Sequence, residues 1–166
     1  MDKSKKKLTP KIAEEFAKQK LNEIKPKEDA DFDLVHAEGV VRTALLLSEG
    51  KKVDKELIAI ASWLHDIGKT IEEGSHAENS ISILEKENFE ISEKLRDCIL
   101  NHGTNGKPNC EEARIINIAD KASIIDRDML KVIKNYTLNK NKVDRKEDLQ
   151  FVKKLANGGA DLLESY

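Results

Sequence analysis

The sequence predicts an all-α protein, a compact bundle of helices. Apolar residues recur every three or four positions through most of the chain, which puts them on one face of a helix. Glycine and proline are sparse, 8 and 3 of 166 residues, so few segments are interrupted. No stretch alternates apolar and polar residues between hairpin turns, the pattern of a half-buried strand.

Thr9 followed by Pro10 marks a helix start: threonine caps free N–H groups, and proline at the first helical position needs no N–H. Ile12, Phe16, Leu21 and Ile24 form the apolar face of this first helix, which stops before Pro26. The charged stretch from Lys25 to Asp31 reads as a loop. A second helix is expected over Phe32–Glu49, FDLVHAEGVVRTALLLSE, closed by Gly50. A third starts at the N-cap Asp54 and runs through ELIAIASWLHD until Gly68 stops it.

Gly74 and Ser75 restart the chain, and Ser75 with Glu78 has the capping-box spacing for a fourth helix through Leu84. Ile91–His102 is the fifth helix, closed by Gly103, and NGKPN over 105–109 is a turn. Glu111 to Arg127 is the sixth, with Ala113, Ile116, Ala119 and Ile124 facing inward. Beyond Met129, Leu149, Val152, Leu155 and Leu162 predict one or two closing helices, bent near Gly158 and Gly159. One structural domain is expected, with an N-terminal helix and loop over 1–29, a core over 30–130 and closing helices over 131–166.

The 29 basic residues nearly balance the 31 acidic ones, so the net charge of -2 offers no bulk attraction to nucleic acid or anionic lipid. The basic stretch from Lys131 through Lys134, Lys140, Lys142, Arg145 and Lys146 reads as a solvated helix face, since Tyr136 alone offers a stacking ring. No apolar run approaches the ~20 residues of a membrane span, and the opening MDKSKKK leads into no signal-peptide core. A cytoplasmic location with no membrane or nucleic-acid partner follows as the expectation, as a monomer or homodimer. Cys98 and Cys110 lack the spacing of a disulfide framework or a zinc site, and both read as reduced thiols.

The four histidines, His36, His65, His76 and His102, are the chemically informative residues. His36 shares a helical face with Val40, Ala44 and Leu47; His65 extends the stripe of Ile58 and Ala61; His102 follows Leu95, Cys98 and Ile99. Asp120 continues the stripe of Ala113 and Ile116, and Asp66 follows His65 directly. Each alone reads best as a satisfied core residue or a histidine at a helix end. Together they place imidazoles near two inward carboxylates, on helices without Lys or Arg on the same stripes. Burying a carboxylate without a partner costs several kcal/mol, and a divalent cation is the expected compensation. Mixed nitrogen and carboxylate ligation suits Fe, Mn, Co, Ni or Zn better than Ca or Mg.

The order His36, His65-Asp66, His76, His102, Asp120, with the flanks HAEGVV, LHDIGK and INIADKAS, resembles the HD-domain superfamily of metal-dependent phosphohydrolases, over roughly residues 30 to 130. The resemblance implies a helical bundle with a buried metal-binding core. His36, His65, Asp66 and Asp120 would hold one divalent transition-metal ion. His76 and His102 would hold a second, with Asp66 bridging, so one or two ions are expected and two are favoured.

The implied activity is hydrolysis of a nucleotide or related phosphate ester or anhydride, by attack of metal-activated hydroxide on phosphorus. Asp66 and Lys69 are then the catalytic residues, Lys69 and Arg127 being candidate phosphate contacts. A solvated lysine at a helix end and an Arg127 ion pair with Asp126, Asp128 or Glu112 are their structural alternatives. The chain is similar to small HD nucleotide hydrolases, including those acting on diadenosine tetraphosphate. Phosphomonoesterase, phosphodiesterase and pyrophosphohydrolase activities all remain open. The alternatives are a non-catalytic metal- or nucleotide-binding regulatory module and a di-iron oxygenase on the same fold.

Overall fold

The computed structural model describes residues 4–126, 128, 129, 131 and 132. These form six α-helices: α1 Pro10–Leu21, α2 Lys27–Leu47, α3 Lys55–Leu64, α4 His76–Lys86, α5 Glu93–Leu100 and α6 Glu111–Ala122. Short 3-10 turns follow α3 at Ile67–Thr70 and α6 at Ser123–Ile125, and there is no strand among the described residues. An isolated bridge pairs Lys6 with Phe89, laying the N-terminal segment beside the residues after α4.

The bundle is organised around α3. Every residue from Leu57 to Leu64 is buried, and a helix buried on all sides belongs at the centre of its fold. It packs against α1, α2, α5 and α6. Fully buried side chains such as Ile58 and Leu64 each contribute about 1.5–3 kcal/mol through the apolar surface they remove from water. Because α3 runs through the middle, its C-terminal end delivers His65 and Asp66 to the interior.

The caps at Thr9, Asp54 and Ser92 form as side-chain bonds to Ile12, Leu57 and Leu95 N–H groups. Elsewhere the boundaries differ from the sequence expectation. The stretch from Lys27 is helix rather than loop: Pro26 precedes the first turn, and Glu28 and Asp29 lie where the helix dipole favours negative charge. Ser75 precedes α4 but its side chain makes no capping bond, and α4 runs on to Lys86. The α-helical ends fall earlier than expected, at Leu64, Leu100 and Ala122. Hence His65 and Asp66 sit in a bend, and His102 lies two residues beyond its helix. Arg127 and the apolar positions Leu149, Val152, Leu155 and Leu162 of the expected closing helices lie outside the described residues.

Glu112, in the first turn of α6, ties three helices together. Its Oε1 accepts from the Asp54 backbone N–H at 3.1 Å and from Lys94 Nζ at 2.9 Å. Burial works against ionisation, but these bonds prevail and bring the carboxyl from 4.5 down to about 2. A depressed carboxyl contributes stability that is complete above its unfolded value near 4.5 and is lost as pH falls through about 2. Glu112→Gln is therefore expected to cost about 1–3 kcal/mol at neutral pH, a range from the difference between a charged and a neutral hydrogen bond up to the full linkage of the shift. Urea denaturation across pH should show that gap closing toward pH 2; a gap independent of pH contradicts the assignment.

Candidate metal centre

Five helices or their ends converge on one point. His36 projects from α2, His65 caps α3, and Asp66 follows it in the bend; His76 opens α4, His102 follows α5, and Asp120 lies in the last turn of α6. His36 Nε2 stands 3.1 Å from Asp120 Oδ1, 3.6 Å from Asp66 Oδ2 and 3.4 Å from His65 Nε2. His65 Nε2 is 3.3 Å from Asp66 Oδ2 and 3.7 Å from Asp120 Oδ1. On the other side, His76 Nε2 and His102 Nε2 are 3.0 Å apart, and each is 3.4 Å from Asp66 Oδ1. The two oxygens of Asp66 thus face two different groups of imidazoles.

Hydrogen bonds behind the rings set which nitrogen faces inward. His65 Nδ1 lies 2.7 Å from the Ser62 carbonyl and His102 Nδ1 2.6 Å from the Ile99 carbonyl. A carbonyl only accepts, so both Nδ1 atoms carry their protons and direct Nε2 at the carboxylates. Ser123 donates its hydroxyl to the Asp120 carbonyl at 2.9 Å, leaving its oxygen to accept from His36 Nδ1 at 3.2 Å. This is the arrangement that orients imidazole ligands around a metal.

The residues fit a cation. Facing Nε2 atoms at 3.0 and 3.4 Å cannot both be lone pairs unless a proton or a metal ion lies between them. Asp66 Oδ1 is buried and accepts no hydrogen bond, a costly arrangement for a charged oxygen. His36, His65 and Asp120, and separately His65, Asp66 and His102, each bring their donor atoms within 4.8 Å of one another. Nitrogen and carboxylate donors of this kind suit a divalent transition metal. Of the six residues, His76 is the most open, with 45% of its side chain exposed, yet its Nε2 reaches inward. Burial lowers the His76 imidazole below its ordinary value against the pull of Asp66.

One expectation is corrected: the carboxylates do have lysine partners. Lys69 Nζ lies 2.6 Å from Asp66 Oδ2 and 2.8 Å from Asp33 Oδ1, while Lys121 Nζ lies 3.0 Å from Asp120 Oδ2. The 3-10 turn brings Lys69 back over Asp66, and Lys121, next to Asp120 in sequence, reaches it from the same side of α6. Lys69 is accordingly not a freely solvated lysine. Burial would lower its pKa, but Asp66 and Asp33 raise it well above the ordinary lysine value and keep it charged. Burial alone would raise both carboxyls. Asp66 is held well below its ordinary value by His65, when charged, and by Lys69; Asp120 is held below its own by His36, His65 and Lys121.

Asp33, Ser80, Asn117, Lys121 and Ser123 complete the surroundings and are not among the expected site residues. Asn117, Lys121 and Ser123 lie within the INIADKAS flank, whereas the only sequence signal of Asp33 and Ser80 is helical spacing, three residues before His36 and four after His76. Cys98 is fully buried, as its apolar stripe predicts. No described helix is long and apolar enough to cross a membrane.

The HD domain family model matches residues 34–124, more than half of the chain. A deoxyguanosinetriphosphate triphosphohydrolase-like protein from Caldanaerobacter subterraneus subsp. tengcongensis is 26% identical over 124 residues, covering 63% of this chain and 37% of the relative. The chain thus spans little more than a third of that relative's length. No solved structure matches it significantly. An all-α bundle that gathers the H…HD…H…H…D residues at its centre, and a family match across the segment holding them all, have one common meaning: the chain belongs to the HD domain family.

Proposed function

We propose that this protein is a metal-dependent phosphohydrolase acting on a nucleotide or a related phosphate ester or anhydride. Asp66 carries the reading: one oxygen faces His36 and His65, and the other, buried and without a hydrogen bond, faces His76 and His102. A carboxylate set between two groups of nitrogen donors is suited to bridging two cations. His36, His65, Asp66 and Asp120 would hold one ion; His76, His102 and the second oxygen of Asp66 would hold the other. When bound, such ions lower the pKa of water toward neutrality and neutralise charge on a phosphoryl group.

The chain's own residues supply position and charge. Ser62, Ile99 and Ser123 fix the imidazoles from behind, so the donor atoms need little reorganisation. Lys69, one-third exposed at 33% and held at the rim by Asp33, offers an ammonium to a phosphate oxygen. The name of the bacterial relative supports a nucleoside triphosphate as one candidate substrate, beside a dinucleoside polyphosphate.

Metal analysis of the purified protein, followed by a nucleotide panel with Mn, Co or Fe, tests the proposal. The panel comprises nucleoside monophosphates, dGTP and other triphosphates, diadenosine tetraphosphate and cyclic dinucleotides, with products resolved to identify the bond broken. Metal retention with no turnover of any of them favours a binding module. Oxygen consumption by the reduced iron form favours an oxygenase.

Lys69→Ala separates substrate handling from metal binding. A charged hydrogen bond is worth about 1.5–3 kcal/mol, so kcat/KM is expected to fall roughly 10–100-fold while metal content stays at the parental level. Loss of metal instead would make Lys69 a structural partner of Asp66 alone.

A further inference from the structure

Resting on the two-ion reading above, we propose that Asn117 is the positioning residue for the second ion, holding His102 in place, and that through Asn117 and Lys121 helix α6 aligns both halves of the centre. His102 lies beyond the end of α5, so the helix ladder does not fix its backbone. Asn117 does: its Nδ2 stands 2.9 Å from the Asn101 carbonyl oxygen, 3.1 Å from that of His102 and 2.8 Å from that of Gly103. An amide has two N–H donors, shared here among three successive carbonyls, and this forces its orientation, since the amide oxygen in that place would face three others. Lys121 Nζ donates to the same His102 carbonyl.

Asn117, Asp120 and Lys121 occupy positions i, i+3 and i+4 of α6, one face of the helix. Asp120 reaches the His36 and His65 side of the centre, while Asn117 and Lys121 grip the backbone that carries His102. The ring of His102 is turned inward by its own bond to Ile99, but the distance from its Nε2 to Asp66 Oδ1 is set by where the 101–103 backbone rests. One rigid helix therefore registers both groups of donors against Asp66. Without the amide, the Asn101 carbonyl loses its donor, while the His102 carbonyl is left with Lys121 and the Gly103 carbonyl with the Gly106 N–H, so the turn is freer to shift while Asp120 keeps its place.

The test compares the full-length parent with Asn117→Ala, with the near-isosteric Asn117→Asp, and with Glu112→Gln, at the opposite end of α6 from the centre. Cobalt titration calorimetry counts ions and affinities, manganese paramagnetic resonance detects a coupled pair, and circular dichroism checks the helices. Loss of an outer-shell partner typically weakens a metal about 10–100-fold, and that loss is expected in the second ion only, with the first bound as in the parent. Asn117→Asp fills the same space but sets a carboxylate against three carbonyl oxygens, so it should be at least as weak as alanine and should lose the coupled signal. Glu112→Gln should keep both ions.

Parental affinity for the second ion in both Asn117 variants overturns the inference alone. So does an equal loss in Glu112→Gln, which would signify general loosening of α6. A parent protein that binds one ion or none overturns the two-ion reading, and the inference with it.

Discussion

Asp66→Ala is expected to remove metal retention and phosphate-ester hydrolysis together, while the chain keeps its helical content. Asp66 divides its two oxygens between the groups, facing His36 and His65 with one and His76 and His102 with the other. Deleting it takes a donor from both groups at once, so affinity should fall well beyond the about 10–100-fold lost with an outer-shell partner. The fold should survive. Lys69 retains Asp33 at 2.8 Å and is partly exposed, so no ammonium is left buried and alone, and the orphaned Oδ1 disappears with the side chain.

Thermal unfolding gives a readout independent of turnover. A ligand at a hundred times its Kd stabilises the folded state by about 2.7 kcal/mol, a rise in Tm of roughly 5–11 °C for a domain of this size. Added Mn or Co should produce such a rise in the parent and none in Asp66→Ala. A variant that still gains stability from metal, or that hydrolyses nucleotides at the parental rate, would refute the central role given to Asp66.

What the sequence disclosed and what it concealed divide along physical lines. The bundle was legible because α3 is apolar on every side and the other helices on one face, a pattern that requires helices around a central one. The clustered histidines and aspartates were legible because polar groups on apolar stripes are rare and their order follows a family motif. The lysine partners were not. Lys69 lies three residues after Asp66, a spacing at which two side chains can meet, but Gly68 reads as a helix stop and leaves open whether the turn after it carries Lys69 back or out to solvent. Asp33 and Asn117 look like surface polar residues on α2 and α6 until the tertiary contacts are made. The start of α2 was missed because a charged, proline-led segment fits a loop as well as a first helical turn, and Ala30, its one buried residue, is too little signal to decide.

Gly68→Ala is expected to damage the centre without touching a donor atom. The 3-10 turn after the His65-Asp66 bend lies directly against the first turns of α4. The Gly68 N–H donates to Ser80 Oγ at 2.8 Å, and the Ser80 hydroxyl lies 2.9 Å from both the His65 and His76 carbonyls. A Cβ on residue 68 would collide with the His76 carbonyl oxygen and would stand 2.5 Å from Ser80 N and 2.8 Å from Asn79 Cβ. Two of those obstacles are backbone atoms in a helix, which cannot swing aside as a side-chain tip can. Relief requires α4 to separate from the turn, carrying His76 away from Asp66 and breaking the Ser80 link. Such overpacking costs about 3 kcal/mol or more, which lowers Tm by at least ~6–12 °C in a domain of this size. Of the two proposed ions, the one at His76 and His102 should weaken most, because its ligands lie on opposite sides of the displaced contact. Calorimetric unfolding and metal titration of Gly68→Ala check both effects, and parental values for both would show that the turn and α4 can part without cost.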